Sequence, residues 1–439
     1  MDYSKVRNIN CDKINPEVNL VQKMWKDNFK NNTFYYNYTL YDFKALIYPE
    51  TNNNNFIFNK YNKLEKFYKE VTDNIIITND TKLIEEKNPE IMLLKNSQNY
   101  EIKINLKYNE QLSINRNKKI NQDNYPKNNI LFLYIDELSR AHFFRKMKYL
   151  SRFLSKFNSH KNSSFEVFQF MKYQSFKNDY YMPSSQTIFY EKNQNKNFDQ
   201  HNFHILTLLK NMGYITAQSS NYCFKEFYPL DKEYDFFVKT NIEEYDHENI
   251  AMFCDPFYIK EIELTSIKKC LYGKNSFEYV LEYGYQFWTK YRENKKFLRL
   301  NFFEGNEKTG EVIKYLDYYL YQFLDDLYKN NYLNNTIIFL VSGQGNSYNN
   351  LFSKKFYYYL NYDFFIENYL GTFFILLDNK GLNLTNNDLF NMKTNQQNMV
   401  TVYDIHDTLK NIAENKIYNY TREIRDILDN NNLGKSLFG

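Results

Sequence analysis

The clearest pattern along the chain is a set of short apolar runs that alternate with segments of helical spacing. A continuous apolar run such as Ile130–Ile135 (ILFLYI) is typical of a strand that is buried on both faces of a parallel sheet. Six segments are predicted to be strands of this sheet, namely Ile130–Ile135, Phe165–Met171, Tyr214–Gln218, Phe297–Phe303, Thr336–Ser342 and Gly371–Leu377.

Segments with apolar residues three and four positions apart separate these strands and predict helices. Ser139 is a suitable cap for the first helix, which extends to about Phe157. The other predicted helices are His204–Met212, Glu278–Asn294, Glu311–Tyr328 and Val402–Ala413. Strands that alternate with helices predict an α/β fold, with a mostly parallel sheet and helices on both of its faces.

The N-terminal part of the sequence has a different pattern. Short alternating segments such as Ile75–Thr78 and Tyr100–Leu106 are separated by polar stretches, which predicts a small lobe of short strands and loops over residues 1–115. Residues 116–129 are charged and rich in Asn, as expected of a linker. We therefore predict that the α/β domain spans residues 130–439.

Composition excludes several classes of protein. With 43 Tyr and 39 Phe the chain has enough apolar surface for a core, so a disordered protein is not expected. No apolar run approaches the roughly 18–20 residues of a membrane span, and no signal peptide is visible after Met1. The net charge of +4 comes from interspersed charges, so no nucleic-acid partner is expected.

The four cysteines are Cys11, Cys223, Cys254 and Cys270, and no two of them form a C-x-x-C pair. Zinc knuckles and thioredoxin-type sites are therefore not expected. Four thiols are compatible with two disulfides or with none. In an oxidising compartment, Cys254 and Cys270 are the favoured bridge because they are close in sequence.

Candidate chemistry lies where the predicted strands end, because open parallel sheets bind ligands beyond the carboxyl ends of their strands. Asp136 follows the first strand, and a loop with several hydroxyl groups follows the second. The residues considered at these ends are Asp136, Tyr181, Ser184, Glu304, Asn306, Glu307, Gly343 and Gln344.

Four segments in this order carry a family resemblance: ILFLYIDELSR, FLRLNFFEGNEKTGEVIKYLDYYLYQFLDDL, LNNTIIFLVSGQG and VTVYDIHDTL. Together they resemble the uncharacterised eukaryotic sulfatase-like family (a domain of unknown function) of the alkaline phosphatase superfamily, over roughly residues 120–439. The resemblance implies an alkaline phosphatase/sulfatase-like α/β sandwich. It also implies an extracellular protein or one of the secretory pathway.

Active members of that superfamily hydrolyse phosphate or sulfate esters, with a Thr, Ser or formylglycine-type nucleophile and two metal ions held by Asp and His. The resemblance places the first metal-binding Asp at Asp136 and the nucleophile at Tyr181. The expected Asp-His-Gly is replaced by Gly343-Gln344-Gly345, and the expected loop His is replaced by Asn306.

The histidines argue independently against such a metal site. The chain has six, and none lies between residues 248 and 405, where the resemblance places the imidazole ligands. Zinc sites depend on imidazole and thiolate ligands. We therefore expect a catalytically inactive protein without a cofactor. It either binds an anionic or glycan ligand in a vestigial crevice or is a purely structural protein without a ligand.

The alternative is a divergent ester hydrolase with one Mg²⁺ or Ca²⁺ ion on Asp136, Glu304 and Glu307, since these cations prefer oxygen ligands. Asp136 itself is either a metal ligand or a remnant that caps the next helix. For His406, a structural position at a helix start is favoured over catalysis.

Glycosylation sequons occur at Asn31, Asn37, Asn79, Asn162, Asn334, Asn383 and Asn419, about as often as chance predicts in an Asn-rich chain.

Overall fold

The computed structural model describes a set of segments of the chain. They are residues 45–47, 76–78, 82, 86, 89–95, 100–120, 128–159, 164–175, 188–189, 205–222, 245–254, 270–306, 310–343, 345, 362–382, 384–413 and 436–438.

The strands in these segments are β1 (Ala45–Ile47), β2 (Ile76–Thr78), β3 (Ile91–Lys95), β4 (Tyr100–Ile104), β5 (Asn129–Ile135), β6 (Phe165–Gln169), β7 (Lys172–Gln174), β8 (Ile215–Ser220), β9 (His247–Asn249), β10 (Cys270–Leu271), β11 (Lys274–Asn275), β12 (Lys296–Phe302), β13 (Thr336–Ser342), β14 (Phe373–Asp378) and β15 (Met399–Thr401). The α-helices are α1 (Glu110–Asn117), α2 (Arg140–Lys146), α3 (Lys148–Ser159), α4 (Ile205–Asn211), α5 (Ser276–Lys290), α6 (Ile313–Lys329), α7 (Tyr362–Tyr369), α8 (Asn379–Leu382), α9 (Asn386–Asn395) and α10 (Val402–Ala413).

A seven-stranded sheet forms the centre of the molecule, in the order β6-β14-β13-β5-β12-β8-β9. The pairs from β13 through β5, β12 and β8 to β9 are parallel, whereas β14 runs antiparallel to both of its neighbours. The predicted α/β class with a mostly parallel sheet is confirmed.

Alternation along the central strands divides the core into two apolar layers, because successive side chains point to opposite faces. On β5, Leu131, Leu133 and Ile135 belong to one cluster, and Ile130, Phe132 and Tyr134 belong to the other. Residues of α3, α5 and α6 complete the first cluster, and residues of α4, α9 and α10 complete the second. Helices therefore cover both faces of the sheet, as predicted.

A small antiparallel sheet of order β2-β1-β3-β4 lies next to the first layer. Ile91, Leu93, Ile102 and Ile104 of this sheet belong to the same apolar cluster as α5. Gln286 of α5 fixes the connection after β4, because its side chain accepts a hydrogen bond from the Leu106 amide (2.9 Å) and donates one to the Ile104 carbonyl (3.0 Å).

One predicted helix is divided in two in the structure. The segment predicted from Ser139 to about Phe157 breaks at Met147 into α2 and α3. The buried carboxylate of Asp317 on α6 accepts hydrogen bonds from the Tyr149 and Leu150 amides, both at 2.8 Å. These amides belong to the first turn of α3, so Asp317 supplies the acceptors that a new helix start needs.

Candidate functional site

The ends of β5, β12 and β13 define the candidate site. The register pairs Ile135 of β5 with Phe302 of β12 and with Ser342 of β13, so the three strands end side by side. The Asp136 amide donates to the Phe302 carbonyl at 2.8 Å, which holds the first residue beyond β5 against β12. The residues that follow these strands are brought to one edge, as predicted.

Asp136 lies at the centre of this edge and is half-buried. One oxygen, Oδ2, accepts a hydrogen bond from Nδ2 of the exposed Asn306 at 3.2 Å. The other, Oδ1, lies 3.4 Å from the Tyr134 hydroxyl, which donates to it. An amide and a phenol, both neutral, therefore contact the two oxygens of the carboxylate.

Two glycines make this close approach possible. A Cβ atom at Gly305 would lie 1.9 Å from the Asp136 carbonyl oxygen, so any larger residue would push the β12 end away from Asp136. A Cβ atom at Gly343 would lie 2.3 Å from the Tyr134 hydroxyl. The Tyr134 hydroxyl therefore occupies the space that a side chain at position 343 would need.

Glu304 has different neighbours. It is fully buried, and its Oε1 accepts a short hydrogen bond from Nδ2 of Asn221 and a longer one, at 3.4 Å, from Oγ of Ser276. Asn221 follows β8, and its Oδ1 accepts from the Phe303 amide at 3.0 Å. These contacts tie Glu304 to the end of β8 and the start of α5.

Ser139, and not Asp136, caps the helix after β5. Its hydroxyl accepts from the His142 amide at 3.0 Å and donates to Oε2 of Glu367 on α7 at 2.6 Å. Arg145 donates to the other oxygen of Glu367 at 2.6 Å. Burial alone would raise the pKa of Glu367, but the bonds from Arg145 and Ser139 outweigh it and lower that pKa.

His142 completes this cluster. Its Nε2 lies 2.6 Å from the Gly310 carbonyl, so this nitrogen carries the proton, and Nδ1 accepts from Arg145 at 3.1 Å. Burial lowers the pKa of His142 below its ordinary value of 6.5, and the Arg145 charge also lowers it. The neutral imidazole links α2 to the segment before α6.

Polar side chains also occur inside the sheet. Arg299 and Asn301 of β12 are fully buried, and Nε of Arg299 donates to Oδ1 of Asn301 at 3.0 Å. The guanidinium lies over the Phe189 ring, 4.4 Å from its centroid, on the face of the second apolar cluster. Asn301 pairs in register with Tyr134 of β5, whose hydroxyl contacts Asp136. Buried polar groups therefore extend from Arg299 through Asn301 towards Asp136.

The structure brings together part of the predicted set, namely Asp136, Asn306 and Gly343. Tyr181, Ser184, Glu307 and Gln344 lie outside the described residues. Within the described part of the chain, no three His, Cys, Asp or Glu side chains converge as a metal site would require. The metal set Asp136, Glu304 and Glu307 therefore stays a prediction.

The structure also describes the environment of two other residues singled out in the sequence, His406 and Cys270. His406 is buried in α10, and its Nδ1 lies 3.0 Å from the Ile188 carbonyl. Cys270 is part of a disulfide, and the side chain of Cys254 lies outside the part of the chain that the structure describes. The pairing of Cys254 with Cys270 stays a prediction.

Residues 237–439 match the model of one protein family, which is described as a protein of unknown function (DUF229). Over these residues the match agrees with the resemblance to a domain of unknown function. It includes Glu304, Asn306 and Gly343 of the candidate site and begins after Asp136. A comparison with curated proteins finds no match.

Several solved structures are similar to this chain. A protein of the alkaline phosphatase superfamily from Vibrio parahaemolyticus is 14% identical, with 70% of this chain and 76% of that chain covered and a TM-score of 0.39. The soluble domain of lipooligosaccharide phosphoethanolamine transferase A from Neisseria meningitidis is 12% identical, with 67% and 89% covered and a TM-score of 0.39. The lipoteichoic acid synthase LtaP from Listeria monocytogenes is 11% identical, with 60% and 71% covered and a TM-score of 0.34. These values are too low to transfer an activity to this chain.

Among the described helices, none has both the length and the apolar character that crossing a membrane requires.

Sequence reasoning missed Tyr134, Asn221 and Arg299 as parts of this edge and its surroundings. A signal for one of them was present, because Arg299 and Asn301 interrupt the apolar segment FLRLNFF at alternate positions. Buried polar residues are more informative than exposed apolar ones. Tyr134 gave no such signal, since its ring fits an apolar run and only its hydroxyl reaches Asp136.

Proposed function

We propose that this protein is a catalytically inactive relative of the sulfatase-like hydrolases, in which the strand-end crevice has a binding or structural role. The observation that carries the proposal is the Tyr134 hydroxyl. It donates to Asp136 and lies where a side chain at position 343 would have to stand. The family resemblance expects a metal-binding Asp at that position.

The hydrogen bonds of Asp136 support the same conclusion. Metal-ester hydrolysis requires cations that polarise the ester and activate the nucleophile. Here the carboxylate is contacted by Asn306 and Tyr134, and Glu304 is engaged with Asn221 and Ser276. These hydrogen bonds tie the ends of β5, β12 and β8 together.

A hydrolysis assay tests the proposal. The full chain, Asp136→Asn and Asp326→Asn are incubated with p-nitrophenyl phosphate or p-nitrophenyl sulfate in the presence of Zn²⁺, Mg²⁺, Mn²⁺ or Ca²⁺. Asp326 is exposed on α6 and serves as the matched control. We expect the same background rate for all three proteins. Hydrolysis by the parent chain and by Asp326→Asn that is lost in Asp136→Asn would contradict the proposal and favour the divergent hydrolase.

We also propose that the crevice binds an anionic or sugar-like ligand. The exposed amide of Asn306 and the half-buried Asp136 offer donors and acceptors at the edge where such sheets bind ligands. Titration calorimetry with phosphate, sulfate and glycan fragments tests this, with Asn306→Ala as the variant that weakens binding. No heat with any of them, under conditions where a metal-competent relative binds, would reject it.

A separate observation supports a proposal about the location of the protein. Disulfides persist in secreted and extracellular proteins and are rare in the cytosol, and Cys270 is disulfide-bonded. We therefore propose the secretory pathway or the cell exterior for this protein. Thiol labelling without reductant, followed by peptide mass spectrometry, should leave Cys270 unlabelled. A reactive Cys270 thiol would argue against this location.

A further inference from the structure

One glycosylation sequon lies within the described part of the chain, at the opposite edge of the sheet from Asp136. It consists of Asn334, Asn335 and Thr336, directly before and at the start of β13. Asn334 is exposed in the turn between α6 and β13, whereas Thr336 is fully buried and donates from its hydroxyl to the Asn334 carbonyl at 3.1 Å. The turn therefore presents the Asn334 side chain to solvent.

A polar recess of about 200 Å³ lies beside this asparagine, which is one of its lining residues. Asn129 and Asn294 also line it and are buried. Oδ1 of Asn129 accepts from the Lys296 amide (3.3 Å), and Nδ2 of Asn294 donates to Oγ of Ser113 (2.7 Å) and to Oδ1 of Asn117 (3.3 Å). These bonds use Oδ1 of Asn129 and Nδ2 of Asn294. The Asn129 side chain can therefore still donate from Nδ2, and the Asn294 side chain can still accept at Oδ1.

The recess is lined by two cations, Lys296 and Arg292, and one carboxylate, Glu293, and each cation has a partner. The Lys296 ammonium donates to the Tyr291 and Arg292 carbonyls at 3.0 and 3.3 Å. The Arg292 guanidinium lies over the Tyr332 ring, 5.1 Å from its centroid, and 3.9 Å from the Glu293 carboxylate. Because both cations already have partners, the amide donors and acceptors remain as the groups that would bind a ligand, and they suit hydroxyl and acetamido groups.

We propose that Asn334 carries an N-linked glycan whose first N-acetylhexosamine unit lies in this recess. The inference rests on the proposed secretory location, where a lipid-linked diphospho-oligosaccharide is the donor. The Asn334 amide nitrogen forms a bond to the anomeric carbon of the first sugar and loses a proton. The bond between that carbon and the diphosphate oxygen breaks, and the lipid diphosphate leaves with the electron pair.

Three variants of the full chain, secreted from eukaryotic cells, test the modification. Asn334→Gln and Thr336→Val remove the sequon, and Thr336→Ser keeps it and is the matched control. Peptide mass spectrometry before and after peptide-N-glycosidase treatment, together with labelling of Cys270, gives the readout. We expect a glycan at Asn334 in the parent chain and in Thr336→Ser, and none in the other two.

The two proposals fail in distinguishable ways. An oxidised Cys270 with an unmodified Asn334 overturns the glycan and leaves the secretory location standing. A reduced Cys270 with an unmodified Asn334 overturns both.

Enzymatic trimming tests the position of the first sugar. An endoglycosidase that leaves one sugar on Asn334 should leave Tm unchanged, whereas complete removal should lower it below that of the trimmed protein. Asn129→Ala removes the amide at the recess, so the trimmed and fully deglycosylated forms of this variant should have the same Tm. Equal Tm values for the two forms of the parent chain would overturn the placement in the recess.

Discussion

At the scale of single residues, the packing around Asp136 depends on the small size of Gly343 and on the hydroxyl of Tyr134. Gly343→Ala introduces a Cβ atom 2.3 Å from that hydroxyl, so the ring has to move and the hydrogen bond to Asp136 is disturbed. We expect Gly343→Ala to lower the free energy of unfolding by about 1–3 kcal/mol, the usual cost of overpacking. Denaturant unfolding followed by fluorescence measures this change.

The control for this prediction is the double variant Tyr134→Phe/Gly343→Ala. After removal of the hydroxyl, the nearest ring atom lies 3.4 Å from the new Cβ, which is an ordinary contact. Gly343→Ala should therefore lower the free energy of unfolding much less in the Tyr134→Phe background than in the parent chain. A loss of the same size in both backgrounds would show that Tyr134 is not what limits position 343.

His142 gives a prediction about pH at the same scale. Its pKa is lowered in the fold, because burial and Arg145 disfavour the imidazolium. In the unfolded chain the group titrates near 6.5, so below that pH the unfolded state binds more protons and the fold loses stability. The difference in unfolding free energy between the parent chain and His142→Gln should therefore shrink from about pH 7.5 to about pH 5.5. A difference that grows over this range would contradict the assigned neutral imidazole.

At the scale of elements, the break between α2 and α3 depends on Asp317. Burial raises the pKa of this carboxyl to about 6, and the amides of Leu150 and Tyr149 oppose the rise. Asp317→Ala leaves those two amides without their acceptor and should cost about 1–3 kcal/mol of unfolding free energy. Asp326→Ala, on the exposed side of α6, should cost almost nothing in the same denaturation experiment. Equal effects would rule out the capping role.

The elements show what local sequence could predict. Runs such as Ile130–Ile135 and Thr336–Ser342 were found almost to the residue, because a strand buried on both faces needs continuous apolar side chains. The break at Met147 could not be predicted, since its acceptor Asp317 is 168 residues away from Tyr149. The antiparallel direction of β14 was also not predicted, because direction depends on the connection and not on the residues of the strand.

At the scale of the whole molecule, a buried polar cluster joins the small N-terminal sheet to the α/β layers. The Tyr291 hydroxyl accepts from the Asn109 amide at 2.8 Å and lies 2.8 Å from Nε2 of His247. Nδ1 of His247 lies 3.4 Å from Glu90, directly before β3. The burial of Tyr291 raises its pKa, so this phenol stays protonated in the junction.

Tyr291→Phe should weaken this junction. It removes both hydrogen bonds from a buried position, at an expected cost of about 1–3 kcal/mol. Limited proteolysis should then cleave residues 89–120 faster than in the parent chain. Tyr108→Phe is the control, because Tyr108 is half exposed and packs its ring 5.0 Å from that of Tyr291. Unchanged proteolysis of Tyr291→Phe would show that apolar packing alone holds the junction.

Only part of the candidate site could be predicted from the sequence, and the reason lies in the topology of the whole fold. Parallel strands bring their ends to one edge whatever residues follow them, so Asp136 and Asn306 could be placed together from the strand pattern alone. The surroundings of Glu304 could not be predicted, because they depend on Asn221 after β8, 83 residues earlier in the chain. The positions of polar residues after the strands predict which edge of the sheet these residues share. They do not predict which side chains contact one another.

Metal binding at equilibrium tests whether the strand-end crevice is held together without a metal centre. The full chain and Asp136→Asn are dialysed against Zn²⁺, Mg²⁺ and Ca²⁺ in separate experiments and then analysed by inductively coupled plasma mass spectrometry. We expect substoichiometric metal in both proteins, with no difference between them. One or more equivalents of metal per chain in the parent protein, lost in Asp136→Asn, would contradict it.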